Sequence, residues 1–202
     1  MEAIRKSQPT CKYFHISSAA VYGNPVHIPI KENVGLLPIS PYGWHKLQAE
    51  NICREFFELH QMPVVIVRPF SVYGPRLKKQ LFWDWHMKAA GSEEVELWGT
   101  GNESRDFIYI DNLCRCFEGI ISGADFRFST YNVASGKETT IAEAAAVYFA
   151  SYGKKYWFNN KKKEGTPVNW RADISSIQQL GFEARIALQE GINKLVEWQK
   201  NS

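Results

Sequence analysis

The chain has 202 residues, 45% of them hydrophobic, and a formal net charge of +3. This length supports one sizeable hydrophobic core, and the small net charge gives no reason to expect a nucleic-acid partner. No apolar run reaches the roughly 18 residues of a membrane span, and the N-terminus lacks the hydrophobic region of a signal peptide. The four cysteines form no CxxC pair and the five histidines show no ligand spacing. We therefore expect reduced thiols, no metal site, no membrane partner and a cytoplasmic protein.

The first predicted elements are a strand from Tyr13 to Ser17 and a helix from Tyr42 to His60. Ser40 is a typical N-cap, and Pro41 after it is typical of the first helical position. The strand places Ser18 just beyond its carboxyl end, where open α/β sheets bind their ligands. The sequence therefore predicts a ligand site between the end of this strand and the start of this helix.

Three side chains suit proton transfer at that site. Tyr42 and Lys46 are one helical turn apart and share a face of the helix. A phenol is a poor base at neutral pH, but a nearby ammonium favours its phenolate form. Ser18 would then hold a substrate hydroxyl while Tyr42 takes its proton. An isolated YxxxK spacing is more often a surface pair, so this interpretation depends on the surrounding sequence.

The rest of the chain alternates between apolar runs typical of buried parallel strands and capped helices. The predicted elements are a strand from Val64 to Arg68, a helix capped by Asp111 and ending at Gly123, a strand from Tyr131 to Ala134, a helix that begins with a capping box of Thr140 and Glu143 and ends near Gly153, and an amphipathic C-terminal helix with Leu188, Ile192, Leu195 and Val196. This alternation predicts an α/β fold.

Four segments carry a family resemblance: FHISSAAVYG, PISPYGWHK, VVIVRPFSVYGP and ELWGTGNESRDFIYIDN. In order and spacing they resemble the extended short-chain dehydrogenase/reductase family of nucleotide-sugar epimerases and dehydratases, from about Glu2 to Gln199. The resemblance implies the C-terminal part of a Rossmann-like parallel sheet with a small α/β substrate-binding lobe. Residues 1–74 would be a partial NAD-binding domain. Residues 75–202 would be mostly the lobe, with 111–153 returning to the sheet.

The resemblance also implies a reaction that depends on NAD, with NADP as the alternative. Tyr42 would deprotonate a sugar hydroxyl while the nicotinamide accepts a hydride, which gives a transient keto sugar, and in epimerases the hydride returns to the other face. The implied catalytic residues are Ser18, Tyr42 and Lys46. The implied cofactor contacts are Ser17, Ser18, Tyr42, Lys46 and Phe70. Members of the family are commonly homodimers.

The resemblance implies a nucleotide-sugar substrate that is UDP-linked. Ala19 and Ala20 stand where 4,6-dehydratases have Asp-Glu, and alanines transfer no protons, which favours a 4-epimerase. Ser71 stands where the family commonly has asparagine, and Arg105 would bind the diphosphate. Trp170 would lie beside the sugar, although it could equally belong to the core of the lobe, as could Trp98. The implied substrate residues are Ala19, Ala20, Ser71, Gln80, Leu81, Arg105, Lys163 and Trp170.

One family feature does not occur in the sequence. The glycine-rich GxxGxxG turn, whose amides hold the cofactor pyrophosphate at a helix N-terminus, is not found. Three hypotheses therefore stay open. The chain could be the catalytic and substrate half of a 4-epimerase that works only in a full-length context, a 4-keto-sugar reductase with the same three residues, or an inactive fragment that binds only a nucleotide sugar or a partner.

Overall fold

The computed structural model describes residues 1–161, 165 and 167–202. Short and regular elements alternate along this part of the chain. In order they are α1 (Glu2–Ser7), β1 (Tyr13–Ile16), a 3₁₀ turn (Ala19–Tyr22), α2 (Pro41–His60), β2 (Val64–Pro69), β3 (Ser71–Tyr73), α3 (Gln80–Gly91), β4 (Glu94–Leu97), β5 (Ser104–Arg105), β6 (Phe107–Tyr109), α4 (Ile110–Gly123), β7 (Arg127–Val133), β8 (Thr139–Thr140), α5 (Ile141–Tyr152), β9 (Lys155–Phe158), α6 (Ser175–Gln179) and α7 (Leu188–Lys200).

The main sheet has three parallel strands in the order β1-β2-β7. Tyr13 is in register with Val64, and Val67 with Tyr131. β1 is an edge strand of this sheet. The predicted α/β class is confirmed. All three strands end at the same edge of the sheet, which brings Ser18 to the carboxyl ends where ligands bind.

Helices cover both faces of the sheet because successive side chains of a strand point to opposite faces. On β2, Val64 and Ile66 pack with Cys53 of α2 on one face. Val65 and Val67 pack on the other face against α4 and α6, in a cluster that also contains Leu113, Cys116, Ile120 and Ile177. β2 is therefore buried along its whole length, as its continuous apolar run predicts.

One predicted helix start is wrong. Asp111 is not the N-cap of α4, because the helix begins at Ile110 with Tyr109 in the cap position and no side-chain cap bond. Asp111 lies instead in the first turn, where a carboxylate interacts favourably with the helix dipole. The capping box of Thr140 and Glu143 is confirmed at the start of α5.

A second core lies between α3, α5 and α7. Its largest buried side chains include Trp85, Tyr148, Phe149 and Ile192. The segment 111–153 divides between the two cores: α4 packs on the sheet, whereas α5 packs against α7. The proposed domain bounds stay a prediction. Within the described residues, no helix has both the length and the apolar character that a membrane crossing requires.

Candidate active site

Ser18 is the first residue beyond the pairing of β1 with β2. The amide of Ser17 still donates to the carbonyl oxygen of Val67 at 2.8 Å. Ser18 then caps the 3₁₀ turn, and its Oγ accepts a hydrogen bond from the amide of Ala20 at 3.2 Å. This bond fixes the hydroxyl at the carboxyl end of the sheet.

Tyr42 and Lys46 occupy the first turns of α2, which starts as predicted. Ser40 Oγ accepts from the amide of Gly43 at 3.2 Å, and a proline occupies the first turn. The Tyr42 side chain is 56% exposed. Lys46 Nζ lies 5.8 Å from the Tyr42 ring centroid and donates to the carbonyl oxygen of Ile16 at 2.8 Å. The ammonium is therefore held between the phenol ring and the end of β1, two residues before Ser18.

The first turn of α2 lies directly on the turn that follows Ser18. A Cβ on Gly43 would be 2.5 Å from the carbonyl oxygen of Ala20 and 3.0 Å from Cβ of Pro38. Only glycine permits such a close backbone approach. This contact brings the Tyr42 turn against the Ser18 segment, so the three predicted catalytic residues lie in one region.

The other two predicted cofactor residues are buried. Ser17 Oγ donates to Glu50 Oε1 at 2.5 Å. The Phe70 ring packs at 6.2 Å from the Tyr22 ring and at 5.8 Å from the Trp170 ring. Both residues lie at the carboxyl ends of β1 and β2, and their contact with a cofactor stays a prediction.

A cavity of about 640 Å³ opens between β3, α3 and the turn after β4. Four predicted substrate residues line it: Ser71, Gln80, Leu81 and Arg105. The three candidate catalytic residues are not part of its wall. Because β3 follows β2 almost directly, the cavity begins at the same end of the sheet as Ser18. The structure thus separates the three candidate catalytic residues from a neighbouring cavity.

Arg105 presents a positive charge to this cavity. Its Nη1 donates to the carbonyl oxygens of Ser104 at 2.7 Å and Val168 at 3.1 Å, and its Cζ lies 5.8 Å from the Trp170 ring centroid. Burial lowers the pKa of Arg105 to about 10, against the opposite effect of the Glu103 charge. Among the described residues, no carboxylate forms an ion pair with Arg105. A half-buried guanidinium without such a pair favours an anionic ligand.

The remaining predicted substrate residues differ in exposure. Ala19 is fully buried and Ala20 half-buried. Trp170 is also buried, and its Nε1 donates to the carbonyl oxygen of Gly23 at 3.0 Å. Trp170 packs in a buried cluster with Tyr22 and Phe70 and not in the core between α3, α5 and α7. Its contact with a sugar stays a prediction. Lys163 lies outside the described residues.

Sequence reasoning missed two features. Trp98 is 52% exposed and lines the cavity together with Lys79 and Lys161. The alternation of β4 could have shown this, because Trp98 follows the exposed residues Glu94 and Glu96 at a spacing of two. The second is Glu50, a buried acid that lies four residues after Lys46 on the same face of α2.

Several proteins are similar to this chain in sequence or in fold. A putative UDP-glucose 4-epimerase of Methanocaldococcus jannaschii is 29% identical over 210 residues, which cover 100% of this chain and 67% of the relative. The structure of UDP-glucuronic acid 4-epimerase from Bacillus cereus, in complex with UDP-glucuronic acid and NAD, is 26% identical with a TM-score of 0.90, over 98% of this chain and 64% of that chain.

A third similar protein is UDP-N-acetylglucosamine 4-epimerase from Methanobrevibacter ruminantium M1, in complex with UDP-N-acetylmuramic acid. It is 26% identical with a TM-score of 0.87, over 99% of this chain and 66% of that chain. The chain thus spans about two thirds of the length of the relatives it matches. The model of the NAD dependent epimerase/dehydratase family matches residues 1–134. That match covers more than half of the chain, which therefore belongs to the NAD dependent epimerase/dehydratase family.

Proposed function

We propose that this chain provides the proton-transfer and substrate-binding part of an NAD-dependent nucleotide-sugar 4-epimerase. The observation that carries the proposal is the position of Lys46 Nζ, 5.8 Å from the Tyr42 ring centroid and 2.8 Å from the carbonyl oxygen of Ile16. That position puts a cation beside an exposed phenol at the strand end that carries Ser18. The relatives support this reading, because those described above are named as 4-epimerases of UDP-sugars.

In the proposed reaction, Ser18 orients a sugar hydroxyl and Tyr42 oxygen takes its proton. The ammonium of Lys46, 5.8 Å from the centroid of the Tyr42 ring, places a positive charge beside the phenol. Returning the proton from Tyr42 to the sugar oxygen completes the cycle. No other group is needed to move this proton.

The side chains of α2 that face the end of β1 fit the nicotinamide end of a dinucleotide. The Lys46 ammonium is a hydrogen-bond donor there, and the Tyr42 phenol is exposed. Bound NAD would supply a hydride acceptor and donor at the sugar carbon. Ser17, Ser18, Tyr42, Lys46 and Phe70 would hold it.

The cavity beside this group suits the nucleotide half of the substrate. Its volume of about 640 Å³ falls within the range of small-molecule pockets, roughly 300–1,000 Å³. Arg105 would bind the diphosphate, and Ser71, Gln80 and Leu81 would contact the rest of the nucleotide. We infer a UDP-linked hexose as the substrate class.

Dehydration of the sugar is disfavoured by the residues after Ser18. Ala19 and Ala20 carry no group that can transfer a proton. The backbone of Ala20 is in addition covered by the first turn of α2. Elimination of water would require an acid and a base that these two positions do not offer.

The proposal can be tested by measuring the turnover of a chimera. The chimera joins this chain to the third of the M. jannaschii relative that this chain does not match. With NAD and UDP-glucose, proton NMR should show UDP-galactose. Tyr42→Phe should reduce turnover by about 10²- to 10⁴-fold, because it removes the proton acceptor and little volume. Tyr156→Phe is the matched control and should keep turnover. Normal turnover in Tyr42→Phe would remove this residue from the mechanism. One-way consumption of NADPH with a UDP-4-keto sugar in place of UDP-glucose would favour the reductase.

A further inference from the structure

A buried ion pair lies behind the candidate catalytic residues. Arg68 of β2 donates to both carboxylate oxygens of Glu50 of α2, with Nε at 3.0 Å from Oε1 and Nη2 at 2.7 Å from Oε2. Both side chains are at most 6% exposed. Burial alone would lower the pKa of Arg68, but the hydrogen bonds and charge of Glu50 raise it. The pair is therefore bidentate and hidden from water.

The pair holds both ends of the segment that contains Ser18. On one side, Ser17 Oγ donates to Glu50 Oε1 at 2.5 Å. On the other side, Arg68 Nη1 donates to Tyr22 Oη at 2.8 Å. Ser18 lies between these two anchors and caps the turn that Tyr22 ends.

The same pair also fixes α2. Tyr42, Lys46 and Glu50 follow one another at intervals of four residues, so they form one stripe along the helix. Glu50 is the buried end of that stripe, and Arg68 ties it to the central strand of the sheet. Besides the contact of Gly43 with Ala20, the position of Tyr42 relative to the sheet is thus also held two turns away, at Glu50.

We propose that Glu50 and Arg68 are positioning residues that set the Ser18 hydroxyl against the Tyr42 phenol. This inference rests on the proposed function, in which Ser18 and Tyr42 act on the same sugar hydroxyl. Neither residue of the pair touches the substrate. Their role is to link the turn after β1 to the stripe of α2 through one carboxylate.

Stability alone does not account for such a pair. Replacing a buried ion pair by apolar side chains of similar volume is often neutral or stabilising, whereas removing one partner leaves an unpaired charge. Comparing these two kinds of substitution therefore distinguishes a stabilising role of the pair from a positioning role. Glu50→Gln should lower the melting temperature, and Glu50→Leu/Arg68→Met should recover it but leave the Ser18 segment without its anchors.

Amide hydrogen exchange of the 202-residue chain gives the direct test. In the unaltered chain, the Ala20 amide is bonded to Ser18 Oγ. In Glu50→Leu/Arg68→Met, exchange at Ala20 and Val21 should be at least tenfold faster, while amides of β2 exchange as before. Tyr22→Phe, which keeps the ion pair but removes one anchor, should accelerate the same amides by a smaller factor. Unchanged exchange at Ala20 in both variants would overturn the inference. Where the double variant folds poorly, unchanged exchange at Ala20 in Tyr22→Phe alone would overturn it.

A second arm uses turnover of the chimera described above. The double variant should lose at least tenfold in kcat with an unchanged KM for the nucleotide sugar, because the cavity lies apart from the ion pair. Ile120→Val, in the core on the other face of the sheet, is the stability control and should keep kcat. Recovery of kcat together with the melting temperature in the double variant would show a merely structural pair. Absence of turnover in the unaltered chimera would contradict the proposed function, whereas the exchange arm still decides the positioning role.

Discussion

Gly43 and the carbonyl oxygen of Ala20 are in such close contact that a Cβ on Gly43 would lie 2.5 Å from that oxygen. The contact joins two backbones without any side chain between them. It brings the helix turn that carries Tyr42 onto the turn that Ser18 caps. Small changes at this contact should therefore affect the candidate site before they affect the rest of the fold.

Gly43→Ala should destabilise the chain by about 1–3 kcal/mol, because the added methyl group forces two backbones apart. Urea denaturation would measure this change in the free energy of unfolding. The control is Gly91→Ala at the end of α3, where a Cβ would meet no atom within 4 Å. That variant should be neutral or slightly stabilising. Equal stability of Gly43→Ala and the unaltered chain would show that the helix can shift at no cost.

Arg105→Lys should weaken binding of a UDP-sugar by at least about tenfold, since lysine lacks the planar fork that pairs with two phosphate oxygens. Isothermal titration calorimetry would measure the affinity at constant salt. Arg127→Gln is the control, because its side chain is exposed and lies outside the cavity. Equal affinity in the unaltered chain and in Arg105→Lys would place the diphosphate elsewhere.

The stability of the chain should fall in mild acid because of His15. Burial, followed by the charge of Lys46, lowers the pKa of His15, against the smaller effect of Glu50. Within the described residues, its buried Nε2 has no hydrogen-bond partner. Above the ordinary histidine pKa of about 6.5, both the folded and the unfolded chain hold the neutral ring. Below it, the unfolded chain binds a proton first, so acidification favours unfolding.

Urea denaturation at about pH 7.5 and about pH 5.5 would measure this dependence. His15→Phe keeps an aromatic ring stacked on Tyr13, which lies 6.2 Å away, but cannot be protonated. The unaltered chain should lose more stability between the two pH values than His15→Phe. An equal loss would show that His15 titrates alike in both states.

The edge strand β1 should promote self-association. Within the described residues, no strand pairs with its outer edge, and Ile16 at its end is 49% exposed. An exposed strand edge can pair with a strand of another chain, and a lysine on the edge opposes this pairing. Size-exclusion chromatography should therefore show concentration-dependent association that Ile16→Lys reduces. Ile121→Lys is the control, because Ile121 is 51% exposed on a helix. A monodisperse monomer that melts cooperatively above about 60 °C would contradict this prediction.

The sequence by itself determined the features that depend on residues close together in the chain, such as helix starts. Ser40 followed by Pro41 specifies the start of α2, and Thr140 with Glu143 specifies the start of α5, because each cap bonds to an amide within one turn. The spacing of Tyr42 and Lys46 places both on one helix face for the same reason. The start of α4 was predicted wrongly, because an acidic residue favours the first turn of a helix as well as its cap.

Only the tertiary structure decided which distant groups meet. Glu50 and Arg68 are 18 residues apart, and Arg105 bonds to the carbonyl oxygen of Val168 across 63 residues. No local pattern encodes these contacts, because they depend on which helix covers which face of the sheet. Burial then affects their chemistry. Arg105 is half-buried beside an open cavity, whereas Arg68 is buried beside a carboxylate. The first arrangement favours an external anion, and the second holds the fold around Ser18.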